Sequence, residues 1–451
     1  MTPPASITAE SNFASRGLRL RTDAWYGDRA LTVPIPLSWD VSVFAPVVRN
    51  PLTDAQIMAR LEAPVCQATI RELCRGKARP VVIADDLNRP TPASRVMPAL
   101  LRQFEDAGIA PQDVGIVMAS GTHGSSPVNA FAKKVGVEAA RLCQLHLHDS
   151  ERNLVNMGKT SFGTPVLVNK VVADSDFLVG IGGFYPNHSV GFGGGSKLAL
   201  GVLGFHSIAR LHWGHQSVGW GRSNGLNSFR RELDEIAQLI GLRSTVSLLL
   251  NADREVVEVS CGDPRAYYAD LLGLAKDAYR APLPDHRADV VISNAYPADV
   301  SLTFARMKAF HLLDAAPLRA SRIAIASCSE GLGYHALFPF MNAPKYHRQR
   351  MMAMHARMLL GKPDVLAQKA FRRLAQQLSF RRGASSLTTR NPIWLFRPGG
   401  AARQPPLPAQ IPGIRVTSSW DEVVEAVSLE QEDRDALRVE VYSCASMQWL
   451  G

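Results

Sequence analysis

The chain has 451 residues, of which 46% are apolar and 20% charged, with a formal net charge of +10. That length exceeds what one hydrophobic core sustains, so two domains are expected, and the ordinary apolar-to-charged balance excludes general disorder. The basic residues are spread along the chain with one concentration between Lys345 and Arg382, which favours acidic small molecules as ligands; the absence of any recognisable nucleic-acid motif argues against DNA or RNA.

The opening MTPPASITAESNFASRG lacks the basic start and apolar stretch of a secretory signal, and no apolar run is long enough to span a bilayer, so the expected location is cytoplasmic, with no membrane partner. Cys66, Cys74, Cys143, Cys261, Cys328 and Cys444 are scattered without a C-x-x-C pair and read as reduced thiols.

From Pro80, PVVIADD is a β-branched run suited to a buried parallel strand. Met97, Leu100, Leu101 and Phe104 then fall at helical spacing, with Pro98 at a kink or at the helix start and Gly108 as the stop. VGIVMASG follows as a second buried strand, which completes a βαβ unit. DFLVGIGGF is a third strand. After the Pro-rich YRAPLPDHRADVV, the runs ADVVISNAYPADV and SRIAIASCSEGLG repeat the pattern of an apolar strand breaking into a polar or glycine-rich turn. The expected fold is α/β, two α/β domains with largely parallel sheets and the active site in the cleft between them. Residues 1–280 form the N-terminal cofactor and catalytic domain and 285–451 the C-terminal one, with a basic helical insertion around 343–382.

Open parallel sheets bind ligands beyond the carboxyl ends of their strands, which makes the polar residues at those ends informative. Asp86 and Arg89 follow the first strand, His123 the second, and Tyr185 to His188 the third. An arginine fork suits a carboxylate or phosphate, although pairing of Arg89 with Asp85 or Asp86 is an equal alternative. His123 and His188 are candidate acid–base groups, a reading that two imidazoles on one rim beside an arginine favour over structural histidines. The run GFGGGSK, Gly191 to Lys197, is not a P-loop, because Ser196 precedes the lysine and Leu198 follows it. Its glycines Gly193, Gly194 and Gly195, with Ser196, still permit close backbone approach to an anion, and Lys197 is a candidate covalent anchor. In FHSIARLHWGH, His212 and His215 lie about one turn apart without the carboxylate of an H-E-x-x-H zinc site. One histidine completing a metal held mainly by a cofactor remains open.

Taken in order, DDLNRPTP, SGTHG, GGFYPNHSVGFGGGSK and the histidine that follows resemble the lactate racemase family, whose members use a nickel-pincer nucleotide. The motif match runs from about Ala84 to His215, with flanking strands that fit from about Arg19 to Gly333. The resemblance implies that Lys197 carries the pyridinium-type cofactor through a thioamide and that His212 completes the coordination of nickel. It further implies that His123 and His188 are the catalytic histidines, that Arg89 binds the substrate, that Asp86 shapes the site and that Lys308 reaches the substrate from the second domain. Cofactor-synthesis enzymes become implied partners.

The chain departs from the pattern in several places, among them GGGSK in place of a version with arginine before the lysine and an extra residue before Lys308. His188 to Lys197 is one residue short, the usual Leu-Pro-Gly appears as LG, and Thr303 and Phe304 replace the tyrosine and glutamine of lactate-type members. The cofactor anchors are kept while the substrate contacts change. The activity implied is that of an isomerase, a racemase or epimerase of a 2-hydroxy acid by reversible hydride transfer. The alternatives are a related epimerase or dehydratase-like enzyme on a sugar acid or larger hydroxy acid, and a non-catalytic binding protein that keeps the fold.

Overall fold

A computed structural model of the chain describes residues 7–9, 11–47, 49–124, 129–222, 227–266, 268–338, 390–399, 404–432, 434 and 436–451. The basic helices expected around 343–382 lie outside the described residues.

Pro80–Asp85, the PVVIAD run, is buried at every position and sits near the middle of a six-stranded sheet. The strand order is Val256–Gly262, Leu242–Leu250, Phe177–Gly183, Pro80–Asp85, Gly115–Ala119, Gln144–Leu147. All neighbours are parallel except the first pair. Continuous apolar runs follow because both faces are covered. Val82, Ala84, Ile116 and Met118 face one core with Leu100 and Phe104, while Val81, Ile83 and Val117 face a second with Val166, Ile208 and Leu211. The helix Met97–Glu105 has Pro98 in its first turn, where no intrahelical N–H is needed, so the proline starts the helix and does not kink it. Gly108, at φ +86°, ends the segment in the left-handed region.

The second six-stranded sheet is parallel throughout, in the order Ile414–Thr417, Ile393–Phe396, Ser321–Ile325, Val290–Asn294, Leu437–Tyr442, Trp39–Phe44. The fold is thus mixed α/β with two largely parallel sheets. Sheet membership does not follow a single cut at 280–285, because an N-terminal strand closes the edge of this second sheet. Leu20, Leu31, Val33 and Ile35 of the small sheet before it also pack on Val290, Ile292, Ile323 and Trp420.

Residues 22–28 join the two halves. The buried Asp299 carboxylate accepts from the backbone N–H groups of Asp23 (2.8 Å) and Ala24 (3.2 Å) and from the Thr22 hydroxyl (3.2 Å). Asp28 accepts from the Tyr296 hydroxyl (2.9 Å) on one side and from Arg254 (2.6 Å) on the other. Trp25 lies under the Arg254 guanidinium and the Lys134 ammonium, at 3.9 and 4.4 Å. These bonds to both halves tie the orientation of the two sheets to this segment. The carboxyl ends of both sheets consequently border one cleft.

Candidate active site

The loop after Pro80–Asp85 is shaped by a residue that sequence reasoning did not single out. Lys134, fully buried, pairs with Asp85 at 2.8 Å and donates to the carbonyls of Arg89 (3.1 Å) and Thr91 (3.0 Å). Thr91 adds a hydroxyl bond to the other Asp85 oxygen at 2.8 Å. Asp85 is therefore spent on the loop itself. The Arg89 guanidinium makes no ion pair among the described residues; it donates to the Asn88 carbonyl at 3.2 Å and lies 6.0 Å from the Phe304 ring centroid. Pairing with Asp85 or Asp86, the structural alternative for Arg89, is not what the structure shows.

Asp86 is fully buried and its Oδ2 meets His123 Nδ1 at 2.7 Å, with Asn88 Nδ2 also at 2.7 Å. Burial pushes the Asp86 carboxyl up, but His123, Arg89 and the Asn88 amide together hold it down at about 2. Burial also lowers the His123 pKa, against the opposing pull of Asp86. The consistent state is an ionised Asp86 accepting Nδ1–H from a neutral His123, which leaves Nε2 as the proton acceptor. Asp86 Oδ1 is buried without a partner among the described residues.

His188 stands exposed at the end of the third strand, its ring 6.5 Å from that of Trp220. The surrounding protein lowers its pKa and the nearby Lys308 lowers it further. Lys308, on the helix Leu302–Ala315, is 7% exposed and lies 5.1 Å from the Trp220 centroid. Burial, together with repulsion from Arg89 and Lys197, holds its pKa well below the usual lysine value. Trp220 is backed by His311, stacked at 4.8 Å.

Lys197 is the third residue of the 3₁₀ segment Gly195–Val202, and its amine has no hydrogen-bond partner among the described residues. Burial lowers its pKa to about 7, helped by Arg89 and Arg230. An amine in that condition is partly unprotonated near neutral pH and so nucleophilic.

The glycines ahead of Lys197 serve mainly to fold the turn. A Cβ on Gly193 would stand 2.9 Å from the Gly183 carbonyl, and one on Gly194, at φ +79°, 2.5 Å from the Phe184 ring. The Gly193 amide donates to the Tyr185 carbonyl at 2.8 Å. Arg230, buried against Tyr268, donates to the carbonyls of Phe192 (2.8 Å) and Gly194 (3.3 Å). Ser196 is fully buried and bonds the Pro264 carbonyl at 3.4 Å. The polar groups of Gly193 and Ser196 are turned into the protein, whereas the Gly194 and Gly195 amides make no backbone hydrogen bond among the described residues, so of the expected anion cradle only these two amides remain candidates beside Lys197. Gly194→Ala is expected to cost roughly 2–4 kcal/mol in chemical denaturation, from the disfavoured φ and the ring overlap.

On the helix Phe205–Gly214, His212 donates Nδ1–H to the Ile208 carbonyl at 2.8 Å, which fixes the tautomer with the lone pair on Nε2. His215 is structural, bonded to Ser228 at 2.9 Å and to Glu232, and stacked on Phe229. His206 is exposed.

His335 escaped sequence reasoning altogether. It lies 7% exposed in the loop after Ser321–Ile325, its ring 5.0 Å from that of His123. His123, His212, Arg89 and Lys308 all act on it electrostatically. The strand-end rule that selected His123 applies equally to SRIAIASCSEGLGYH, so the signal was present. Arg89, His123, His188, His212 and Lys308 are thus neighbours, linked through Phe304, Trp220, Phe338 and His335, and Lys197 joins them through its repulsion with Arg89 and Lys308.

The model of the lactate racemase N-terminal domain matches residues 26–220. The chain is 26% identical to the lactate racemase of Lactiplantibacillus plantarum over 266 residues, 57% of this chain and 62% of that protein. It is 26% identical to the lactate racemase of Thermoanaerobacterium thermosaccharolyticum over 305 residues, 65% and 70% of the two chains. Over residues 26–220 the chain is thus similar to the lactate racemase N-terminal domain, and over a longer stretch to two lactate racemases. A solved structure of the lactate racemase apoprotein from T. thermosaccharolyticum superposes with a TM-score of 0.64 at 17% identity, over 96% of this chain and all of that one, which extends the shared fold to both sheets. The alignment to the L. plantarum enzyme covers less than two thirds of its length. Among the described residues no helix is long and apolar enough to cross a membrane.

Proposed function

We propose that the protein racemises or epimerises a 2-hydroxy acid, with a lysine-tethered nickel-pincer nucleotide as its cofactor. The observation that supports this best is the convergence of Arg89 without an ion pair, two imidazoles of lowered pKa and a Lys197 amine that is partly unprotonated near neutral pH.

The residues present suit such a group. Lys197 offers a nucleophilic amine for attachment, His212 offers Nε2 to a metal, and the orphaned Asp86 Oδ1 calls for a donor from whatever binds. Among the described residues no three His, Cys, Asp or Glu side chains are grouped to hold a metal by themselves, so His212 fits a metal whose other donors come from the organic group. When bound, that group supplies an acceptor that takes a hydride equivalent from carbon and returns it, a task no side chain performs.

The chain's own residues do the rest. Arg89 holds the substrate carboxylate, which places the chiral carbon and orients its hydroxyl. His123 takes the hydroxyl proton at Nε2 while Asp86 keeps the ring aligned; His188, on the Trp220 side, does the same for the other enantiomer. Each base contributes on the order of 10²–10⁴-fold. The 2-keto acid left by loss of the α-hydrogen is planar, so its return on the opposite face inverts the centre. Lys308 adds a second nitrogen donor on the Trp220 side. Thr303 is committed to the Gly333 carbonyl at 3.4 Å, and Phe304 packs edge-on to His123 at 4.8 Å. An apolar wall therefore stands where a polar contact would be expected for lactate, which favours a 2-hydroxy acid with a larger side chain.

Protein produced with nickel and the cofactor-synthesis enzymes is expected to erase the optical purity of at least one acid in a chiral 2-hydroxy acid panel. Retention of optical purity across the panel by protein carrying stoichiometric nickel would refute the proposal.

A further inference from the structure

The loop of residues 331–338 is pinned against the His123 turn by backbone pairing. His123 and His335 form an antiparallel bridge, Gly124 N–H donates to the Tyr334 carbonyl (3.1 Å), and Ala336 N–H to the Thr122 carbonyl (2.8 Å). The second half of the molecule thereby inserts a third imidazole between the residues that Proposed function assigns to chemistry. The His335 ring is 5.8 Å from Phe304 and 5.2 Å from Phe338, so two aromatic rings and the bridge hold its orientation.

Its protonation is also set by geometry. Nδ1 accepts from two backbone amides, Leu337 N–H and Phe338 N–H, each at 3.2 Å. A nitrogen that accepts twice carries no proton, so the neutral ring carries its hydrogen on Nε2. Among the described residues that Nε2–H makes no hydrogen bond; the residue is 7% exposed, yet this nitrogen is not among the enclosed polar atoms left without a partner, so it faces open space. A donor fixed in orientation and facing open space beside the base is placed to meet an acceptor on a ligand. Arg89 and Lys308 around it are themselves donors, and the Nε2 acceptors of His123 and His212 are reserved in the functional reading for the substrate hydroxyl and the metal, so the acceptor for His335 arrives with a ligand.

We propose that His335 is a substrate-contacting hydrogen-bond donor that presents Nε2–H to the C2 oxygen of a 2-hydroxy or 2-keto acid lying against His123. The inference rests on the functional reading above. Arg89 suits the carboxylate, and the remaining oxygen common to all such acids is the one at C2, beside the base. As a hydroxyl it gives its proton to His123 and accepts from His335; as a ketone it still accepts. A fixed donor thus serves both sides of the reaction without changing its own state, whereas a histidine that titrated would compete with His123 for the proton.

The test is selectivity for the C2 oxygen, read by calorimetric titration of the full-length protein. The probes are 2-oxo acids with methyl, isobutyl and benzyl side chains, each paired with the same acid lacking the C2 oxygen. Wild-type protein is expected to prefer the oxo member of at least one pair. In His335→Phe that preference narrows by roughly three- to tenfold, the range of one hydrogen bond, while affinity for the oxygen-free acid is unchanged. His335→Gln, which keeps an oxygen for the Leu337 and Phe338 amides and an N–H for the cleft, retains most of the preference. A full preference in the Phe variant overturns the inference, as does equal weakening of both members of a pair or a loss in the Gln variant as large as that in Phe. If wild type binds none of the 2-oxo acids, the functional reading falls, and this inference with it.

Discussion

Replacing Lys197 with alanine is expected to abolish racemisation and, in protein produced with the cofactor-synthesis enzymes, to remove a mass adduct present on the wild type. The prediction follows from where the amine stands. An ordinary lysine is almost wholly protonated at neutral pH and a poor nucleophile; burial beside Arg89 and Arg230 lowers Lys197 to about 7. The sign is the one a covalent anchor needs, since the unprotonated fraction is about half near pH 7 and grows as pH rises. Intact-mass measurement separates attachment from activity. Lys197→Arg, which keeps the charge but not the nucleophile, should also lack the adduct. An unmodified Lys197 in protein that still racemises would exclude tethering at this residue.

Asp86→Asn is expected to lower kcat/KM by roughly 10²–10⁴ with little change in folding. The comparable substitution in the serine-protease triad costs about 10⁴ because the imidazole is left in the wrong tautomer. An asparagine amide facing His123 Nδ1 can donate where Asp86 accepted at 2.7 Å, which moves the proton to Nε2 and removes the base from the substrate side. The pH profile gives an independent check. His123 acts as a base only when neutral, and its pKa is already below the usual histidine value because burial outweighs Asp86, so wild-type activity should persist below pH 6.5. Removing the Asp86 charge takes away the interaction that raises the His123 pKa, so the acid limb of the residual activity should move further towards acid. Because two enantiomers have an equilibrium constant of one, kcat/KM falls equally in both directions. Single-turnover oxidation of each enantiomer is the measurement that distinguishes damage to His123 from damage to His188.

Much of the site was legible in the order of residues because strand-end chemistry is local. A buried β-branched run followed at once by Asp86 and Arg89, and another followed by His123, announces a rim without any knowledge of the partner strand. Lys197 was legible for a related reason: three glycines before it mark a turn that admits no side chain. Their purpose was not, because the Gly183 carbonyl and the Phe184 ring that exclude a Cβ come from another part of the chain. Lys134 was illegible too, since an ion pair across 49 residues leaves no periodic trace.

By itself the amino-acid order determined the strands and the helix starts, the shared rim at their carboxyl ends, and the kinship carried by several motifs in one order. These depend on interactions within a few residues, where spacing and side-chain type suffice. Tertiary structure alone decided that Trp39–Phe44 completes the second sheet, that residues 22–28 wedge between the halves, and that His335 stands beside His123. It also decided every protonation state in the cleft. A pKa is the sum of desolvation and charges gathered from distant segments, and only the folded chain brings those to one place.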